Sequence, residues 1–304
     1  MLAYVSWDPS REAFSVPFFH FPVYWYSIWF ALGFYGAVLI FQWLITRRAR
    51  LLGDDISASR LEISHFVEQV SIYSFIGVLV GARLGHVLFY DVSYYMSNPV
   101  EIVKVWHGGL ASHGAVIGLL IALWIFNRKP RASPALPQGY DLLDAMAISS
   151  AWMAFCIRVG NFWNQEIVGN PTSVPWAILF GSPQDGIGSL PRHPVQLYEA
   201  LTALILLVIM LFWSRNGRWA VHGQCAGWYL GILFSFRIFF EYFKVPQSAF
   251  DTGSFHMGQL LSLPVIMFAV FLIIRGHAAT TRERNGPPHG RSEKSTHQRV
   301  DKRL

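Results

Sequence analysis

Apolar residues fall along this chain in seven long runs separated by short polar segments. The runs occupy residues 24–45, 66–90, 110–126, 142–163, 195–213, 223–240 and 257–274. Each is close to the roughly 20 apolar residues that a helix needs to cross a bilayer. The pattern predicts an all-α integral membrane protein with seven transmembrane helices. Residues 1–276 would form the membrane domain. Residues 277–304 are polar, basic and rich in Pro, Gly, Ser and Thr, and are expected to form a disordered tail. His277, His289 and His297 lie in that tail and attract no role.

Composition agrees. Only 14% of residues are charged against 53% hydrophobic, where a soluble chain carries about 25% charged residues. The net charge of +6 does not suggest nucleic acid, because the basic residues lie scattered between apolar runs. Their distribution orients the chain instead. With the N-terminus outside, 17 of the 24 Lys and Arg residues fall in cytoplasmic segments and the C-terminus is cytoplasmic. Cys156 and Cys225 both sit within apolar runs and read as small buried hydrophobes.

Placed on this topology, the costly polar groups converge. An arginine at the centre of a membrane helix costs about 2.5–3.5 kcal/mol on insertion scales, so each one needs a partner. Tyr26 lies near the outer mouth of the first span, with Arg83 and His86 in the outer third of the second. His113 sits about one turn into the third. Arg158, Asn161 and Glu166 stand at the exit of the fourth, Arg192, His193, Gln196, Tyr198 and Glu199 at the entrance of the fifth, and Arg237 and Glu241 near the end of the sixth. Arg158 and Asn161 are spaced i, i+3 and Arg237 and Glu241 i, i+4, so each pair shares a helix face.

Structural readings stand beside functional ones. Arg237 and Glu241 can neutralise each other, and Arg83 can pack against Glu199 or Glu241. His113 can be a hydrogen-bonded core residue, although Gly108, Gly109 and Gly114 leave little bulk around it, which suits the approach of a substrate. Arginines hold phosphate and stay protonated, and histidine titrates near neutrality. Together at one leaflet they suggest chemistry on an anionic lipid headgroup. Metal chemistry is not expected, since no His/Cys/Asp cluster has ligand spacing, and no cofactor is implied. A lipid transporter or flippase is the alternative, but transporters place their polar groups at the bilayer midplane.

These residues carry a resemblance. Gly81-Ala82-Arg83-Leu84-Gly85-His86, Trp106-His107-Gly108-Gly109-Leu110-Ala111-Ser112-His113-Gly114, Arg158-Val159-Gly160-Asn161-Phe162-Trp163-Asn164-Gln165-Glu166 with Gly169, Arg192-His193-Pro194, Phe236-Arg237 through Glu241, and Met257-Gly258-Gln259 occur in that order. The chain resembles the prolipoprotein diacylglyceryl transferases. The resemblance implies a bacterial inner-membrane enzyme whose site faces the outer leaflet. It would transfer the diacylglyceryl group of phosphatidylglycerol to the lipobox cysteine in the signal peptide of a prolipoprotein, releasing glycerol 1-phosphate. It implies His113 as general base and Arg158 and Arg237 as the cations of catalysis. Tyr26, Asn161, Glu166, Gly169, Arg83, Glu241 and His193 are implied as substrate-binding residues together with Arg158. His86, Lys244 and Gln247 depart from the family pattern, Lys244 standing where arginine is usual.

Overall fold

The computed structural model describes residues 4–16, 21–89, 92–105, 108–131, 133, 135–188, 190–215, 221–245 and 257–285. Trp106, His107, Gln247, His289 and His297 lie outside the described residues, as does the chain from 286 onward. The fold is mostly helical. Its long helices are α1 (Trp25–Leu52), α2 (Ile56–Phe89), α4 (Ser112–Asn127), α5 (Tyr140–Trp163), α6 (Val195–Ser214), α7 (Gln224–Glu241) and α8 (Met257–Asn285); the short α3 (Val92–Ser97) interrupts the loop between α2 and α4.

Each predicted span coincides with one long helix. Five of them, α1, α2, α5, α6 and α8, are long and apolar enough to cross a membrane, which makes this a multi-pass membrane protein. The difference between five crossings and seven lies in α4, apolar but only 16 residues long, and α7, 18 residues carrying Arg237 and Glu241.

Two boundaries differ from the sequence expectation. α2 starts at Ile56 rather than near residue 66. α8 continues to Asn285, past the boundary expected at 276. That boundary followed the change from apolar to polar residues, but Ala278, Ala279, Arg282, Glu283 and Arg284 are good or acceptable helix formers. The Thr280 and Thr281 hydroxyls donate to carbonyls one turn back, at 2.9 and 2.8 Å.

The all-α expectation also missed five short strands. β1 (Val5–Trp7) runs parallel to β4 (Ile178–Phe180), which pairs antiparallel with β5 (Pro191–Arg192). β2 (Glu12–Val16) and β3 (Phe21–Tyr24) form a hairpin leading into α1. Strands of two to five residues leave too short a pattern to distinguish from aromatic interfacial sequence. They tie the chain's beginning to the loop between α5 and α6, at the end of the bundle where the polar residues gather.

α2 and α4 pack backbone to backbone, and the cause is a stripe of glycine. Gly77, Gly81 and Gly85 face Gly114 and Gly118; a Cβ on Gly81 would lie 2.7 Å from the Gly118 Cα, and one on Gly85 2.7 Å from the Gly114 Cα. Small residues at four-residue spacing let two backbones meet. α5 packs chiefly on α1, α6 and α7, and α7 on α8. The main apolar core, including Phe41, Leu44, Phe126, Ile148 and Met210, fills the opposite half of the bundle from the polar cluster. Cys156 and Cys225 are both buried and free, as expected of small hydrophobes.

Candidate active site

At the last turn of α5, Arg158 Nη1 donates to Asn161 Oδ1 at 3.2 Å, so the i, i+3 spacing read from the sequence is a contact. Asn161 Nδ2 donates in turn to Glu166 Oε1 at 2.6 Å. The other oxygen of Glu166 accepts from Gln184 Nε2 at 3.1 Å, and its backbone carbonyl accepts from Gln196 Nε2 at 2.7 Å. The turn beyond α5 is held by Gln165, fully buried with φ +55°. Its side chain donates to Asp8 at 2.9 Å and accepts from the Ser182 backbone at 2.8 Å.

The carboxylate on Arg158 is Glu199, from the second turn of α6. Arg158 Nε lies 3.0 Å from Glu199 Oε2. The N–H is not aimed at that oxygen, so the pair is Coulombic rather than hydrogen-bonded. The other oxygen of Glu199 accepts from Lys244 Nζ at 2.9 Å, and Lys244 also reaches Glu241 at 3.1 Å. Lys244 is only 3% exposed. Two alternatives left open by the sequence are thereby resolved, and a link that it did not suggest is added. Glu241 pairs with Lys244, Arg83 contacts neither glutamate, and Glu199 joins α5 to the segment after α7. Nothing in the spacing could have chosen Glu199 among the available carboxylates, because its partners lie 41 and 45 residues away.

Arg237 stands within electrostatic range of Arg158, Glu199 and Glu241, yet makes no hydrogen bond or ion pair among the described residues. Tyr26 approaches from α1. A Cβ on Gly160 would lie 3.0 Å from its ring, and its hydroxyl feels the charges of Glu166 and Arg158. Two guanidinium groups with unused donors, one in no ion pair among the described residues, form a place for an anion.

His193 lies just before α6. Its Nδ1 is 3.2 Å from the Tyr198 hydroxyl, which accepts from Trp176 Nε1 at 2.7 Å. Partial burial lowers the His193 pKa below its ordinary value of 6.5, favouring the neutral ring. Gly169 is bare because the chain at His193 lies against it: a Cβ there would collide with the His193 carbonyl and lie 2.7 Å from the His193 Cβ. The Gly169 amide donates to that carbonyl at 3.2 Å. Arg192, 1% exposed, pins the same loop through Asp185 and the Ile187 carbonyl, both at 2.7 Å.

Arg83 occupies a different environment. Its Nε donates to the Ile102 carbonyl at 2.9 Å, Nη1 to the carbonyls of Gly108 and Gly109 at 2.5 and 3.1 Å, and Nη2 to those of Glu101 and Lys104. Positive φ at Gly108 and Gly109 turns those carbonyls inward. The guanidinium is spent on the loop between α2 and α4, and Tyr95 covers its face at 5.0 Å. His86 packs edge-on against Tyr95 at 6.0 Å in the same layer.

His113 sits in the first turn of α4; its side chain lies outside the described set. Gly114, which from the sequence suggested open space for a substrate, is filled by the backbone of α2 at Gly81 and Gly85. The missing side chain at Gly114 serves helix packing, whereas a Cβ on Gly108 would meet nothing within 4 Å. No group of three or more His, Cys, Asp and Glu residues suited to a metal occurs among the described residues.

Comparison with known proteins gives one consistent answer. The family model described as prolipoprotein diacylglyceryl transferase matches residues 12–275. Among curated proteins, the phosphatidylglycerol–prolipoprotein diacylglyceryl transferase of Porphyromonas gingivalis is 35% identical over 285 residues, covering 90% of this chain and 95% of its own. The protein of that name from Tolumonas auensis is 37% identical over 253 residues, covering 83% and 90%. That from Chlamydia pneumoniae is 36% identical over 283 residues, covering 90% and 96%.

Proposed function

The chain belongs to the prolipoprotein diacylglyceryl transferase family, and from that premise we propose how the cluster around Arg158 serves the transfer. The protein is a transferase that moves a diacylglyceryl group from phosphatidylglycerol to prolipoproteins. In this reading the acceptor is the lipobox cysteine of the signal peptide. Its sulfur bonds to the glycerol carbon that carries the phosphate, and the C–O bond at that carbon breaks. The electron pair leaves with the phosphate as glycerol 1-phosphate, and the thiol proton passes to a base.

The phosphodiester starts with one negative charge and leaves as a monoester tending to two. Fixed cations that meet the growing charge lower the barrier, and more so in a site shielded from water. Arg158 and Arg237 take that task. The observation that carries it is Arg237, within electrostatic range of Arg158 and in no ion pair among the described residues. Asn161 holds Arg158 in place while its own amide is fixed by Glu166. Tyr26 closes the α1 side, where its hydroxyl can meet the headgroup. Glu199, Lys244 and Glu241 act as positioning residues. His113 is the proposed base, because a thiol is only a few per cent ionised at neutral pH. Arg83 and Gly169 shape the loops around the site, and His193 borders it.

The polypeptide crosses the membrane seven times in this reading, α4 and α7 included. The N-terminus is outside, the C-terminus in the cytoplasm, and the site at the outer leaflet of the inner membrane. The helix ends alternate accordingly: α1, α4, α6 and α8 start, and α2, α5 and α7 finish, at the end that holds Arg158. A transport path is not favoured, because the polar groups gather at one end instead of the midplane.

The test is turnover with phosphatidylglycerol vesicles and a lipobox peptide. A diacylglyceryl-modified cysteine and glycerol 1-phosphate are expected. Arg158→Ala, Arg237→Ala and His113→Ala should each lose most of the rate with the fold intact. Wild-type rates from any one of them would remove that residue from the mechanism.

A further inference from the structure

The bundle end opposite the Arg158 cluster carries a second concentration of arginine whose charges the transfer reaction does not use. Arg47 and Arg50 on α1 and Arg60 on α2 line a cavity of about 300 Å³ together with Trp43, Gln42 and Thr46. No carboxylate lines it among the described residues. The nearest acids in sequence, Asp54, Asp55 and Glu62, are absent from its wall, and Asp54 accepts from the Ser133 hydroxyl at 3.2 Å. Arg48, between Arg47 and Arg50 in sequence, turns to another face and pairs with Asp141 at 3.3 Å. Arg50 and Arg60 make no hydrogen bond or ion pair among the described residues. Arg47 reaches the Arg215 carbonyl with Nη2 and lies 5.2 Å from the centre of the Trp43 ring, but its Nε is buried with no partner.

Apolar surface continues from this basic cavity. Leu39 and Trp43 form one wall of it and also line a second groove of about 480 Å³, closed on the α6 side by Val208, Leu211 and Phe212. Leu39 and Phe212 are 47% and 70% exposed. Positions 39, 43, 47 and 50 share one face of α1 by their i, i+4, i+8 and i+11 spacing, so the ridge runs from apolar to cationic toward the helix end.

We propose that this face of α1 is a specific site for an anionic glycerophospholipid of the leaflet opposite the active site. The phosphate sits among Arg47, Arg50 and Arg60, and acyl chain lies in the groove between Trp43 and Phe212. Arginine holds a phosphate diester through paired donors, and the buried Arg47 Nε is a donor still without an acceptor. A free anion would satisfy the arginines but leave the groove empty. The groove therefore commits the occupant to a lipid. The site is regulatory or anchoring rather than catalytic, and does not depend on which residue of the outer cluster performs the transfer.

The test is native mass spectrometry of the full chain in detergent, titrated with dioleoylphosphatidylglycerol or dioleoylphosphatidylcholine, with and without excess inorganic phosphate. Wild type should retain one anionic lipid that Arg158→Ala does not remove. Arg50→Gln/Arg60→Gln, both on exposed side chains, should weaken retention of that lipid by about tenfold or more, leave phosphatidylcholine adducts unchanged and keep turnover at saturating substrate. Leu39→Trp, which fills the wall shared by the two grooves, should weaken it with every charge intact. The proposal is overturned if the double variant retains anionic lipid like wild type, if phosphatidylcholine is retained equally well, or if inorganic phosphate displaces the lipid. Loss of turnover in Arg158→Ala with this lipid still bound would separate the two sites.

Discussion

Arg158 and Glu199 meet at 3.0 Å across the α5–α6 interface, and the second oxygen of the same carboxylate holds Lys244 at 2.9 Å. One glutamate therefore sets the position of the arginine proposed to meet the phosphate and ties it to the chain after α7. With Glu199 on Arg158 and Lys244, Arg237 makes no ion pair among the described residues and keeps its donors for the phosphodiester of the proposed reaction.

Glu199→Gln preserves shape and removes the charge. Breaking a buried pair by neutralising one partner costs about 3–5 kcal/mol, so thermal unfolding in detergent should move several degrees lower. The rate should fall at least tenfold through kcat, because Arg158 loses its orientation. An unchanged kcat in folded Glu199→Gln would mean that Arg158 is held well enough by Asn161 alone.

Lys244 offers a complementary change. Lys244→Met leaves Glu241 without its lysine and Glu199 with Arg158 alone, in a site where the lysine is 3% exposed, and should cost about as much stability as Glu199→Gln. Lys244→Arg keeps the charge and should retain most activity. Circular dichroism melts and turnover of both variants check this directly, and equal damage from the two would show that shape matters more than charge.

Arg83→Lys keeps the charge but cannot serve carbonyls at Ile102, Gly108, Gly109, Glu101 and Lys104 together. Amide hydrogen exchange across residues 101–109 should accelerate while exchange in α5 and α6 stays as in wild type. Unaltered exchange in that loop would rule out the bracing role.

Gly81→Ala places a methyl group 2.7 Å from the Gly118 Cα, with only backbone there to give way. Overpacking of this kind costs about 1–3 kcal/mol, so the melting temperature should drop. Gly231→Ala on α7, whose Cβ would meet only the Ala269 Cβ at 3.6 Å, should melt close to wild type.

His193 provides a pH dependence. Its folded pKa lies below 6.5, so between the two values the unfolded chain binds more protons and stability rises with pH. The contribution is complete above about 6.5 and is lost as pH falls toward the folded value. Melting curves from pH 8 to 5 should show this slope, and His193→Gln should flatten part of it.

The one-dimensional pattern was enough for the helices and for which end of them is polar, because burying apolar side chains and exiling charge from lipid act on each residue independently of its distant neighbours. It also marked Arg158 with Asn161, whose contact is a consequence of helical spacing alone. What only the tertiary structure decided is pairing. Glu199 rather than Glu166 or Glu241 faces Arg158, Glu241 turns to Lys244, Arg83 is used up by backbone carbonyls, and Gly114 is bare for α2 rather than for substrate. These choices depend on how helices far apart in sequence are brought together, and a Coulomb or steric contact exists only once they are. The short strands were hidden for the same reason: two to five residues acquire their conformation from the partner strand, not from a pattern of their own.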